Sequence, residues 1–94
     1  MDMPKIMQCT ATQCAYNQEK QCHALAITIG DATHPHCDTF FEAPMKGGDP
    51  AMTGSVGACK VDICRFNESF ECHAQGIQVG FLRDDMDCQT FNPK

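Results

Sequence analysis

The chain lacks most of the parts that announce a function directly. No segment of its 94 residues approaches the apolar run needed to cross a bilayer, so no membrane partner is expected. No two cysteines stand in the C-x-x-C spacing of thiol-redox enzymes. There is no glycine-rich phosphate loop and no serine or cysteine nucleophile motif, and hence no catalytic residue and no enzyme is expected. A stripe of basic residues is also missing. Seven Lys and Arg face twelve Asp and Glu, and the resulting net charge of −5 repels phosphate backbones, which argues against nucleic acid as a partner. Met1 to Gln8 show no basic region followed by an apolar run, so cytoplasmic synthesis without a secretory signal is expected. No long helical period appears anywhere.

What the chain has instead is cysteine, eight residues in two similar sets. Cys9, Cys14, Cys22 and Cys37 follow C-x4-C-x7-C-x14-C, and Cys59, Cys64, Cys72 and Cys88 follow C-x4-C-x7-C-x15-C. A shift of fifty residues also superimposes Asn17 on Asn67, His23 on His73, Ala24 on Ala74, Ile27 on Ile77 and Gly30 on Gly80. One residue inserted in the second copy then restores the match at Cys37-x-Thr39-Phe40 against Cys88-x-Thr90-Phe91. The chain is therefore a duplicated module. We place the modules at 1–43 and 57–94, joined by residues 44–56, whose Pro44, Gly47, Gly48, Pro50 and Gly54 read as a flexible linker.

A module of about 40 residues buries too little apolar surface to fold without reinforcement. Two staples are available: one four-thiolate metal site per module, or two disulfides per module. Four thiolates suit Zn2+ by number, charge and softness. Disulfides need an oxidising compartment, which the amino terminus does not suggest. Structural zinc can also supply roughly 10–16 kcal/mol of apparent binding energy, against about 3 kcal/mol for a disulfide closing a ~15-residue loop. Two zinc ions per chain, one per set of four cysteines, are expected, although tetrahedral sulfur does not by itself choose between zinc and iron. Each complete ligand set is expected to let its module fold and load alone.

The expected fold is small, metal-stabilised, β-rich and loop-rich, with a short hairpin and strand core in each module. In the second copy a polar turn is read at Asn67-Glu68-Ser69, and Asn17 and Asn67 are read as turn formers. Ile27-Thr28-Ile29-Gly30 and Ile77-Gln78-Val79-Gly80 alternate apolar with polar residues, the sign of half-buried strands ended by glycine. In a strand, His23 and His73 point away from the cysteines they follow, so they are not expected to be ligands. His34 and His36 occur in the first copy only, where the second has Asp84 to Asp87.

Cys9-x4-Cys14-x2-Asn17, Cys22-x-Ala24-x2-Ile27-x-Ile29 and Cys37-x-Thr39-Phe40, each repeated in the second half, resemble the short four-cysteine domain of unknown function numbered family 1540. The resemblance covers both modules. It implies tandem metal-binding copies from Gram-positive, often spore-forming bacteria, a possible setting in spores, and no assigned activity. The function expected is a non-enzymatic tandem zinc module that presents a folded surface to a protein partner. The alternatives are zinc storage, thiol redox sensing, or a disulfide-stapled component of the spore coat.

Overall fold

Short alternating segments bounded by turn residues form strands, and the computed structural model, which describes residues 3–30, 34–82 and 85–94, holds nine of them among the described residues. They are β1 (Lys5–Cys9), β2 (Asn17–Gln18), β3 (Gln21–Cys22), β4 (Ile27–Ile29), β5 (Val56–Cys59), β6 (Asn67–Glu68), β7 (Glu71–Cys72), β8 (Gly76–Leu82) and β9 (Asp85–Cys88). No helix occurs among the described residues, so none is long and apolar enough to cross a membrane. Asp84 lies outside the described residues.

Two antiparallel hairpins, β2-β3 and β6-β7, stay within their own halves. Their turns fall one residue later than the sequence suggests. Ser69 and Phe70 carry φ of 56° and 63°, and Glu19 and Lys20 carry 57° and 64°. Positive φ at both central residues gives the turn a twist that matches the flanking strands. The cost of placing ordinary residues there is partly offset by Asn17 and Asn67, whose Oδ1 atoms accept the N–H groups of Lys20 and Phe70, each at 3.2 Å.

β8 and β9 also pair antiparallel within the second half, whereas two parallel pairings cross between the halves. β1 runs parallel to β8, with Ile6 opposite Ile77 and Cys9 opposite Val79. β4 runs parallel to β5, with Ile27 opposite Val56 and Ile29 opposite Cys59. A fifty-residue shift converts one set of pairs into the other, so the exchange is reciprocal and the halves are related by an approximate two-fold axis. β9 completes a three-stranded sheet, β1-β8-β9. Near the axis, Ile6 N–H donates to Gly54 O and Val56 N–H donates to Pro4 O, each at 2.9 Å.

In the folded chain the modules expected at 1–43 and 57–94 share exchanged strands rather than lying apart on either side of residues 44–56. Ile6, Val56, Val61 and Ile77, the largest fully buried side chains, belong to one cluster drawn from both halves. The radius of gyration is 12.1 Å, close to the roughly 12 Å expected for a single compact body of this length. The reason is the shortage of apolar surface already visible in each copy. Each half covers strands of the other in one common core.

Residues 44–56 are correspondingly tied down. Gly47 N–H donates to Ala15 O, Asp49 N–H to His23 O and Gly54 N–H to Cys22 O, at 2.8, 3.0 and 2.7 Å. Lys46 Nζ donates to the carbonyls of Thr12 and Cys14, each at 3.2 Å. Glycine is needed at position 54 because the backbone passes against a cysteine. A Cβ there would lie 2.7 Å from Cys22 Sγ. Composition identified a segment without regular structure, but its amide and carbonyl groups still find partners on the first half.

Candidate metal centre

Each set of four cysteines gathers around its own cavity. Cys9, at the end of β1, Cys14, in the following turn, Cys22, on β3, and Cys37 line a cavity of about 20 Å³. Cys59, Cys64, Cys72 and Cys88 line a second one of the same volume. That is room for about one water-sized occupant. Phe40 packs at the first cavity and Phe91 at the second, which gives the repeated closing phenylalanine a role as a wall. All eight cysteines carry free thiols, and seven are buried. The sulfurs surround the cavities without meeting at bonding distances: among the described residues no three His, Cys, Asp or Glu side chains form a coordination group. The donor set nevertheless fits a soft divalent ion, because each cavity is framed by four sulfurs and otherwise largely by apolar side chains.

The repeated sequence features around the cysteines have local physical roles. The Thr39 and Thr90 N–H groups donate to the sulfurs of Cys37 and Cys88, two residues earlier, and Phe40 N–H adds a second bond to Cys37. Ala11, Ala24 and Ala74 supply N–H groups to Cys9, Cys22 and Cys72 in the same i+2 relation. The threonine hydroxyls face the strands: Thr28 N–H donates to Thr39 Oγ1 at 3.1 Å, and Gln78 N–H to Thr90 Oγ1 at 3.0 Å. Cys-x-Thr is thus a clamp that orients a sulfur and fastens it to β4 or β8.

Asn17 and Asn67 do more than shape turns. Asn17 Nδ2 donates to Cys9 O at 2.7 Å, and Asn67 Nδ2 donates to Cys59 O at 2.8 Å. Asn17 also donates to the Cys9 sulfur. These buried amides tie the first cysteine of each set to the hairpin carrying the third. The signal was present in the sequence as an asparagine eight residues after each first cysteine, but spacing alone could not separate a turn former from a tether.

Burial raises the pKa of Cys9, Cys22 and Cys72 above the ordinary 9.0, against the opposing pull of the N–H donors. It pushes Cys37 and Cys88 up to about 12. The neighbouring cysteines add to the rise by charge repulsion: Cys14 and Cys22 act on Cys37, while Cys72, Cys64 and Cys59 act on Cys88. The N–H donors favour thiolates, yet burial outweighs them at Cys9, Cys22, Cys37, Cys72 and Cys88 and favours the thiol there.

A pH dependence follows for the reduced, metal-free protein. The folded pKa of Cys37 and Cys88 lies above the unfolded one, so the native state holds more protons between about 9 and about 12. Stability from these thiols is full below the unfolded value and is lost as pH rises through the folded one. Urea midpoints under reducing, chelating conditions should be level, as far as these two groups are concerned, up to about pH 8.5 and fall beyond it. Midpoints unchanged up to about pH 11 would refute the assignment.

The histidines lie elsewhere. His23 Nδ1 is 2.8 Å from Met52 O, and His73 Nε2 is 3.9 Å from Glu68 Oε2, so neither lines a cavity. His34 Nε2 lies 3.3 Å from Asp87 Oδ1, which is buried and lacks a hydrogen bond of good geometry. His36 Nε2 lies 3.4 Å from Asp38 Oδ1. The sequence did not reveal that the His34–His36 segment of one half meets Asp87 of the other.

These features define a small β-rich protein made of two exchanged cysteine modules. The chain belongs to the family described as Domain of Unknown Function (DUF1540), which it matches twice, over residues 7–40 and 58–91. No curated protein and no solved structure matches it.

Proposed function

We propose that the chain is a non-enzymatic zinc protein in which two metal-fastened modules form one folded surface for a protein partner. The observation that carries this reading is the segregation of the eight cysteines into two sets of four, each lining its own cavity of about 20 Å³. Cys9, Cys14, Cys22 and Cys37 would hold one Zn2+, and Cys59, Cys64, Cys72 and Cys88 the other. A closed shell of four thiolates has no open position for a substrate, so the ion would act as a structural fastener. It would also reverse the local charge balance, favouring thiolates where burial alone favours thiols.

Burial weighs against zinc storage and redox sensing as the main role. Reactive cysteines are exposed and have low pKa values, whereas these are largely enclosed and five have raised ones. The acidic balance favours a protein partner over nucleic acid. The family resemblance suggests a spore as the setting.

Native mass spectrometry of protein purified without a metal-binding tag should show two zinc ions per chain and no disulfide. A metal-free chain with four disulfides would overturn the proposal and favour the disulfide-stapled alternative. Two bound iron ions would retain the ligand assignment and replace the metal.

A further inference from the structure

We propose that the two cysteine centres load as one cooperative unit, each ion raising the affinity of the other centre; this inference rests on the metal reading above. In each centre, two of the four cysteines sit on backbone held by the opposite half. Cys9 is the last residue of β1 and pairs with Val79 on β8, and the next amide, Thr10 N–H, donates to Val79 O at 2.9 Å. Cys59 is the last residue of β5 and pairs with Ile29 on β4, while Lys60 N–H donates to Ile29 O at 2.8 Å.

The fourth cysteines are joined more directly. Cys37 N–H donates to Met86 O at 2.6 Å, and Cys88 N–H donates to Pro35 O at 2.7 Å. His36 and Asp87 form an antiparallel bridge between these bonds. The segments that deliver the last ligand to each centre are therefore each other's hydrogen-bonding partners. The cavity walls are exchanged too: Val79 and Met86 close the first cavity, and Ile29 and Pro35 close the second.

An ion that fixes Cys9 and Cys37 also fixes β8 and the segment carrying Cys88. An ion that fixes Cys59 and Cys88 likewise fixes β4 and the segment carrying Cys37. The first ion orders backbone that the second then finds already ordered, so the second loses less conformational freedom on binding. The effect must be reciprocal, and coupling between two sites commonly amounts to about 5–150-fold in affinity. Repulsion between two negatively charged loaded centres opposes the coupling, and burial limits its screening by salt, so the coupling read by experiment is net of it.

The experiment titrates zinc into the reduced, metal-free, full-length chain, with a competing chelator and at about 0.15 M salt, and reads the species by native mass spectrometry. At half saturation, independent equal centres would leave about half of the chains with one ion, and coupling should hold that species well below this level. In Cys72→Ser, the intact first centre should lose about 5–150-fold in zinc affinity, although none of its ligands has changed. A one-ion species at half or more of the chains would overturn the coupling while leaving the metal reading intact. Failure to retain any zinc would overturn the metal reading and the coupling with it. The wild-type distribution decides the question even if Cys72→Ser fails to fold.

Discussion

Peptides spanning residues 1–54 and 55–94 should each fail to fold as monomers even with zinc present, and mixing them should restore a folded complex. The division leaves the strap of residues 44–54 bonded to the first half and separates the exchanged strands together with the Cys37–Met86 and Cys88–Pro35 contacts. Each half then loses the partner of its first strand and of its fourth, with Ile6 and Ile27 parted from Ile77 and Val56. Full burial of one such side chain contributes about 1.5–3 kcal/mol, so exposing these four removes about 6–12 kcal/mol. That is comparable to the roughly 5–15 kcal/mol by which a domain of this kind is stable. Amide spectra of either half should be poorly dispersed, and the equimolar mixture should recover the dispersion of the intact chain. A half that forms structure by pairing with a second copy of itself would reveal this through concentration dependence. A folded monomer of either half would contradict the shared core.

The duplicated ligand pattern was legible because cysteine spacing survives without any knowledge of the fold. The alternation at Ile27-Thr28-Ile29 and Ile77-Gln78-Val79 correctly indicated strands, since the buried and exposed faces of a strand are written directly into the sequence. What these patterns could not contain is the identity of the partner strand. Ile27 needs an apolar neighbour, and Ile6 of its own half would serve as well in composition as Val56 of the other. The choice is made by reach and by the two-fold geometry, in which each short strand finds a parallel partner only across the molecule. The same limitation explains the linker. Gly47, Gly48 and Gly54 exclude a regular strand but do not reveal that Ala15, His23 and Cys22 will bond the segment. Thr39 and Thr90 could be recognised as repeated, yet their division of labour, with the N–H toward sulfur and the hydroxyl toward a strand, emerges only once β4 and β8 are in place.

Gly30→Ala should destabilise the protein severely, whereas Gly80→Ala, at the duplicated position, should be mild. The two glycines are equivalent in sequence and differ in structure. β4 ends before Gly30, whose φ is +81°, in the left-handed region that costs alanine about 1 kcal/mol or more. A Cβ at Gly30 would also lie 2.3 Å from Val61 Cγ2 and 2.8 Å from the backbone oxygen of His34. Val61 is fully buried in the shared core and has nowhere to retreat. Overpacking of this kind typically adds about 1–3 kcal/mol, for a total near 2–4 kcal/mol. In a domain of this size, each 1 kcal/mol lowers Tm by about 4–8 °C, so a fall of at least about 10 °C is expected. Gly80, in contrast, lies within β8 and does not have positive φ. Its added Cβ would meet Thr10 Oγ1 at 2.6 Å and Gln89 Nε2 at 2.7 Å, the ends of two exposed side chains that can swing aside. Its cost should stay within about 1 kcal/mol, partly offset because glycine itself weakens a strand interior. Thermal unfolding of the two variants under identical zinc and reducing conditions checks the contrast. Equal losses would show that the halves are closer to symmetric at this position than the structure places them, and that the Gly30 contact with Val61 does not help to lock the two halves together.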